Sequence, residues 1–177
     1  MISLLFTIVV AFFATGFITT FLGYWVHWIF HQPWSLGFYH AHMNHHQIQY
    51  PPSDYLSDTY RSAGRDSTVI LFVVAFAPVL IGIALLTWFG FFSLTTCGIA
   101  IAILAVWGYV HDYFHDQFHL NNTWWKQFGF FIKLRSTHYL HHLDMSKNYG
   151  IILFPWDKLF KTYDAENITL DKENDAL

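Results

Sequence analysis

The sequence predicts an all-α fold, an integral membrane helical bundle of about three to four transmembrane helices. Three observations predict it. Hydrophobic residues make up 54% of the 177 residues and charged residues only 12%, about half the usual charged share. No Asp, Glu, Lys or Arg precedes Asp54, and none lies between Asp66 and Asp112. All nine Lys and Arg sit at Arg61 or beyond. Net charge is −3, which leaves no basic footprint for nucleic acid. The lone Cys97 excludes a disulfide framework, a cysteine zinc site and a cysteine-held iron–sulfur cluster.

A bilayer core takes roughly 20 apolar residues per helix. The first uncharged run supplies one span, over about 2–26. A signal peptide is the competing reading, but there is no basic leader and the apolar stretch outruns signal length. Gln32-Pro33 ends this helix, and Pro51-Pro52-Ser53 breaks the chain further on. The second run fits two spans, over about 68–88 and 92–110, with Phe89-Gly90-Phe91 as the hairpin between them. Asn121-Asn122-Thr123 reads as a turn feeding a re-entrant or interfacial helix near Trp124–Leu134, a candidate fourth element. One membrane domain thus covers 1–163, and 164–177 is a polar tail with a frayed end. The positive-inside rule puts the 54–66 loop and the C-terminal segment in the cytoplasm. Three crossings bring the 27–67 loop to the same face.

That face holds every histidine. His27 and His31 are four apart, His42, His45 and His46 form HxxHH, His111 and His115 are four apart, and His138, His141 and His142 form a second HxxHH. Positions three and four apart share a helix face, so each cluster aims its imidazoles into one space. A lone histidine on an apolar face is usually a hydrogen-bonded core residue. Ten such rings beside a membrane without a strong partner would each cost about 1–3 kcal/mol. The clusters therefore predict a cytoplasmic histidine-rich dimetal site with four or five nitrogens per ion. His40 and His119 fall outside the repeating pattern. His119 continues the row of His111 and His115, but two turns on, about 12 Å away if the helix stays straight. That places it beyond one compact site.

Carboxylate-bridged di-iron chemistry needs Glu-x-x-His, and the only glutamates are Glu166 and Glu173. No H-E-x-x-H zinc motif exists. A haem protein would use only one or two axial pairs and leave most of the set unexplained. A metal carrier or transporter would place histidines or acids within its spans, whereas Ser67 through Val110 carries none.

The series HxxxH, HxxHH, HxxxH, HxxHH resembles the fatty acid hydroxylase / sterol desaturase superfamily of membrane histidine-rich di-iron oxygenases. Asn148-Tyr149-Gly150 and the run Trp156-Asp157-Lys158-Leu159-Phe160-Lys161-Thr162-Tyr163 look like its NYG and WDxxFGTY segments. Lys161 stands where Gly is usual, a departure expected to affect a turn. Bacterial carotenoid hydroxylases share comparable length and boxes and are the nearest rival within the superfamily. The resemblance implies two iron ions as cofactor, with zinc a substitute, and O₂ as co-substrate for hydroxylation or desaturation of an unactivated C–H bond. It implies His27, His31, His42, His45, His46, His111, His115, His138, His141 and His142 as ligands, with no further catalytic group. Asp112, Asp116, Asp144, Asn148 and Tyr149 lie beside ligand clusters as candidate acceptors for imidazole N–H groups; surface solvation or turn formation is the alternative for each. The expected substrate is a lipid or another hydrophobe drawn from the membrane. No dinucleotide fingerprint, haem-attachment motif or cysteine set is present. A separate ferredoxin- or cytochrome-type electron donor is implied, docking on the face of Lys126, Lys133, Arg135 and Lys147.

Overall fold

A computed structural model describes residues 2–61 and 68–165, without the side chains of 2–4, 7 and 68–75. The described residues are helical, with no strand among them. Their six helices are α1 (Ile2–Phe30), α2 (Gly37–Asn44), α3 (Thr68–Trp88), α4 (Leu94–Phe118), α5 (Gly129–Leu143) and α6 (Pro155–Phe160). The tail beyond 165, with Glu166 and Glu173, and the loop cation Arg65 lie outside the described residues.

Within α1 and α4, Ile8–Phe30 and Leu94–Phe118 are long and apolar enough to cross a membrane. Only 17% and 6% of their most apolar stretches are buried inside the chain, so their side chains face outward. The described side chains of α3 form a shorter apolar helix, Phe76–Trp88. Phe13, Phe17, Leu85, Val106 and Tyr109 are all exposed, an apolar surface that fits lipid.

The α1–α4 pair is the principal helix contact. A Cβ on Gly16 would stand 2.8 Å from the Trp107 ring, so α1 has a bare backbone where that indole crosses it. Gly90, at φ 78°, makes the turn between α3 and α4, where the sequence puts the hairpin. Ser93 starts α4 by accepting the Thr96 N–H at 3.1 Å. This helix runs past the predicted end at 110 to Phe118, so His111 and His115 ride on the same rod as its apolar stretch. The predicted 124–134 helix is divided. Trp124–Gln127 is a short 3₁₀ turn, capped by the Thr123 hydroxyl, and α5 begins at Gly129 and carries the last histidine box.

Phe118, Phe131 and Ile151 form a buried cluster with Phe114, Trp125, Phe128, Leu134 and Ile152 around it. It packs the lower part of α4 against α5 and the segment after it. On the other side α6 docks on α1, where Trp156 donates to Thr20 at 3.1 Å and stacks edge-on against Phe17 and Phe21. Lys161 ends α6 in the left-handed region at φ 61°, which explains why glycine is the easier residue there.

Candidate metal centre

Four chain segments bring the imidazoles together. His27 lies in the last turn of α1 and His31 just past its end, His42 lies on α2, and His45 and His46 open a π-turn spanning His45–Gln49. A π-turn adds a residue to the turn, and here the two adjacent rings His45 and His46 point into different groups. The last box lies on α5, whose face from Arg135 to His138 and from Leu140 to His142 is buried.

Two groups result. In the first, ligand nitrogens of His27, His31, His42, His46 and His141 all lie within 4.8 Å of one another; in the second, those of His45, His119, His138 and His142 do the same. His42 Nε2 stands 3.0 Å from His27 Nε2, 3.0 Å from His31 Nε2 and 3.1 Å from His46 Nε2. His31 and His141 Nε2 are also 3.0 Å apart, and His119 and His138 Nε2 are 3.3 Å apart. The groups touch through His46 and His142, whose ring centroids are 4.0 Å apart.

Backbone carbonyls fix which nitrogen faces inward. His27 Nδ1 donates to Tyr149 O at 2.7 Å, His141 to Lys147 O at 2.6 Å, His142 to Tyr50 O at 2.8 Å and His119 to Tyr55 O at 3.2 Å. A neutral imidazole has one N–H, so these four rings present bare Nε2 lone pairs to their group. Burial, then the neighbouring imidazoles, holds His42, His45, His46, His119, His138 and His141 well below the ordinary histidine pKa. Burial lowers His31 to about 4 and His142 to about 3. The rings are therefore neutral near pH 7.

Hydrogen bonds among the rings do not satisfy such a set. One Nε2–H points at one acceptor, whereas His42 Nε2 faces three other Nε2 atoms. His45 and His142 Nε2 are buried with no hydrogen-bond partner. Two nitrogens bound at about 2.1 Å and a right angle apart stand about 3.0 Å from each other, which is the spacing of the first group. The donor set fits borderline divalent metals, and the residues present fit an ion in each group.

The remaining sequence candidates fall differently. His119, set outside the compact site by the straight-helix argument, is inside it. It caps α4 with φ −95° and ψ 2°, so the chain has left the helical row, and its ring stacks on Tyr50 at 4.0 Å. His115 is buried with its centroid 4.8 Å from those of His45 and His138, beside the second group without being counted in it. His111 belongs to neither group and lines a small cavity with Gly23, Trp107 and Tyr149. His40 is exposed on α2 and packs on Tyr39.

Backbone carbonyls perform the task the sequence suggests for carboxylates. Asp144 is exposed and binds the Ser146 amide and hydroxyl at 2.9 and 2.6 Å. Asp116 stands 4.0 Å from His115 Nδ1, beyond hydrogen-bond reach, and Asp112 lies one turn before it. Tyr149 acts through its carbonyl, while Asn148 fixes the turn by donating to Thr137 O at 3.2 Å and accepting from the Asp164 amide at 2.8 Å. Tyr50, Tyr55 and Lys147 carry no side-chain signal for their role, because the acceptor is main chain. Arg135 is not a surface cation. It is 2% exposed and donates to Leu120 O at 2.9 Å.

No curated protein and no solved structure matches the chain. The family model described as fatty acid hydroxylase matches residues 12–162, a stretch that enters in α1, takes in both histidine groups and stops just after α6. A match of that length over this arrangement of rings means that the chain belongs to the fatty acid hydroxylase family.

Proposed function

We propose that the chain is an integral membrane, O₂-dependent di-iron oxygenase that hydroxylates or desaturates an unactivated C–H bond of a lipid or another hydrophobic substrate. The observation that carries this reading is the pair of all-nitrogen groups whose lone pairs converge, in a chain of a hydroxylase family. His27, His31, His42, His46 and His141 would hold one ion. His45, His119, His138 and His142 would hold the other, with His115 beside it. Two irons bound there supply the redox chemistry that activates O₂ and takes hydrogen from an unreactive carbon.

The chain's own residues do the rest. The carbonyls of Tyr149, Lys147, Tyr50 and Tyr55 hold Nδ1 protons and so orient the donor nitrogens. Tyr50, Phe118 and the buried faces of the rings exclude water from the second group. An apolar groove between α4, α5 and α6, lined by Phe114, Phe130, Leu134, Ile152 and Leu153, supports a hydrophobic substrate. It shares the lining residues Ile152 and Leu153 with the small cavity beside His111. Helices α1, α3 and α4 are the three spans of this reading, with the histidines and the C-terminal segment on the cytoplasmic side. Electrons come from a separate ferredoxin- or cytochrome-type donor.

The test is conversion of a membrane lipid extract by purified protein supplied with ¹⁸O₂ and a reductant. The reading expects an alcohol carrying ¹⁸O, or a new double bond, in a product absent without O₂. Reduced, metal-loaded protein that consumes no O₂ with any lipid fraction would contradict it.

A further inference from the structure

A carboxylate stands behind His27, one peptide away. Asp157 is fully buried at the start of α6 and, among the described residues, forms no ion pair with Lys or Arg. Three donors converge on it: the Tyr149 amide at 2.7 Å, the Gly150 amide at 2.9 Å and the Thr162 hydroxyl at 3.0 Å. The Gly150 N–H and the Tyr149 C=O belong to the same peptide unit. That unit is planar and trans, so its N–H and C=O point in opposite directions. Holding the N–H on Asp157 therefore aims the carbonyl at His27 Nδ1, 2.7 Å away.

We propose that Asp157 is a positioning residue for the first histidine group, acting through the Tyr149–Gly150 peptide as a carboxylate–peptide–imidazole relay. The proposal rests on the metal-binding reading above. Metal-bound histidines commonly give their second N–H to a carboxylate or a carbonyl, which fixes the ring and raises its basicity. This chain joins the two. The buried charge polarises the peptide, its carbonyl becomes a stronger acceptor, and His27 keeps its proton on Nδ1 with Nε2 bare. A neutral residue would serve to tie α6 to the turn; an ion in a dry site is harder to account for without such work. Gly150 answers to the same geometry. A Cβ there would lie 2.7 Å from Asp157 Oδ2 and 2.5 Å from Leu153 O, so a side chain displaces the carboxylate, the turn that carries the amide, or both. The second group takes its carbonyls from Tyr50 and Tyr55, far from this turn in sequence, and does not share the relay.

Asp157→Asn separates the relay from mere packing. It keeps the shape but turns an NH₂ toward one of the two amides, because an amide has one oxygen. In metal-free protein labelled with ¹⁵N-histidine, with His27 assigned by a His27→Gln spectrum, the wild type is expected as the Nδ1–H tautomer. Asp157→Asn and Gly150→Ala should both give a tautomer mixture at His27. In a Co²⁺ titration the variants should weaken one of two binding events about 10–100-fold and keep the other. Thr162→Val removes the hydroxyl but leaves both amides on Asp157, and should match the wild type in both measurements. An unchanged His27 tautomer in Asp157→Asn overturns the relay, as does equal weakening of both Co²⁺ events, which marks a general structural tie. Wild-type protein without two Co²⁺ events would instead refute the two-ion reading, and the tautomer comparison still decides the relay.

Discussion

His119 Nε2 stands 3.3 Å from His138 Nε2, although the two residues belong to different segments and His119 breaks the spacing of the histidine boxes. Its Nδ1 is already committed to Tyr55 O, so the inward nitrogen is the free one.

His119→Ala should therefore cost the second ion as severely as His45→Ala or His138→Ala. His40→Ala, an exposed ring in neither group, should leave metal content at the wild-type level. Ions per chain across the four variants check this. Full metal in His119→Ala would return the residue to the outside of the site.

The metal-free chain should be least stable in acid. His31 and His142 are lowered to about 4 and about 3 in the folded chain, against about 6.5 unfolded. Between those limits the unfolded chain binds protons that the folded chain refuses, so stability falls as the pH drops below about 6.5. Each such ring contributes about 1.4 kcal/mol per pH unit. Denaturant unfolding from pH 7.5 to 4.5 should show the loss, and a flat profile would mean that the rings titrate freely when folded.

Arg135→Ala should destabilise the protein by about 2–4 kcal/mol, because Leu120 O loses its buried charged donor. Lys126→Ala, at an exposed residue of the 3₁₀ turn, should change stability by less than about 0.5 kcal/mol. Thermal unfolding of the two variants separates a structural cation from a surface one.

Gly16→Ala should cost about 1–3 kcal/mol, since its methyl meets the Trp107 ring at 2.8 Å. Adding Trp107→Phe should recover part of the loss by making room. Additive losses would show that the two helices do not meet at that point.

Much of this architecture is legible in the sequence. The charge-free runs mark the apolar helices, because an ionic group inside them would be desolvated. The boxes mark eight of the nine residues in the two groups, because three- and four-residue spacing is enough to aim rings together. His119 is missed for the same reason that the rule works elsewhere: it presumes a continuing helix, and the chain turns out of α4 at that residue. The acceptors behind the rings are missed because main-chain carbonyls leave no trace in residue identity. Asp157 is visible as a motif letter, but its link to His27 runs through a peptide plane that only folding creates.

On the proposed reading, eight histidines of the repeating boxes and His119 build two ion sites in one chain. Elemental analysis of reduced, chelator-free wild-type protein tests it most directly. Zinc can replace iron at imidazole sites, so the decisive quantity is total transition metal per chain. Two ions per chain is the expected result, and one or none would contradict the account.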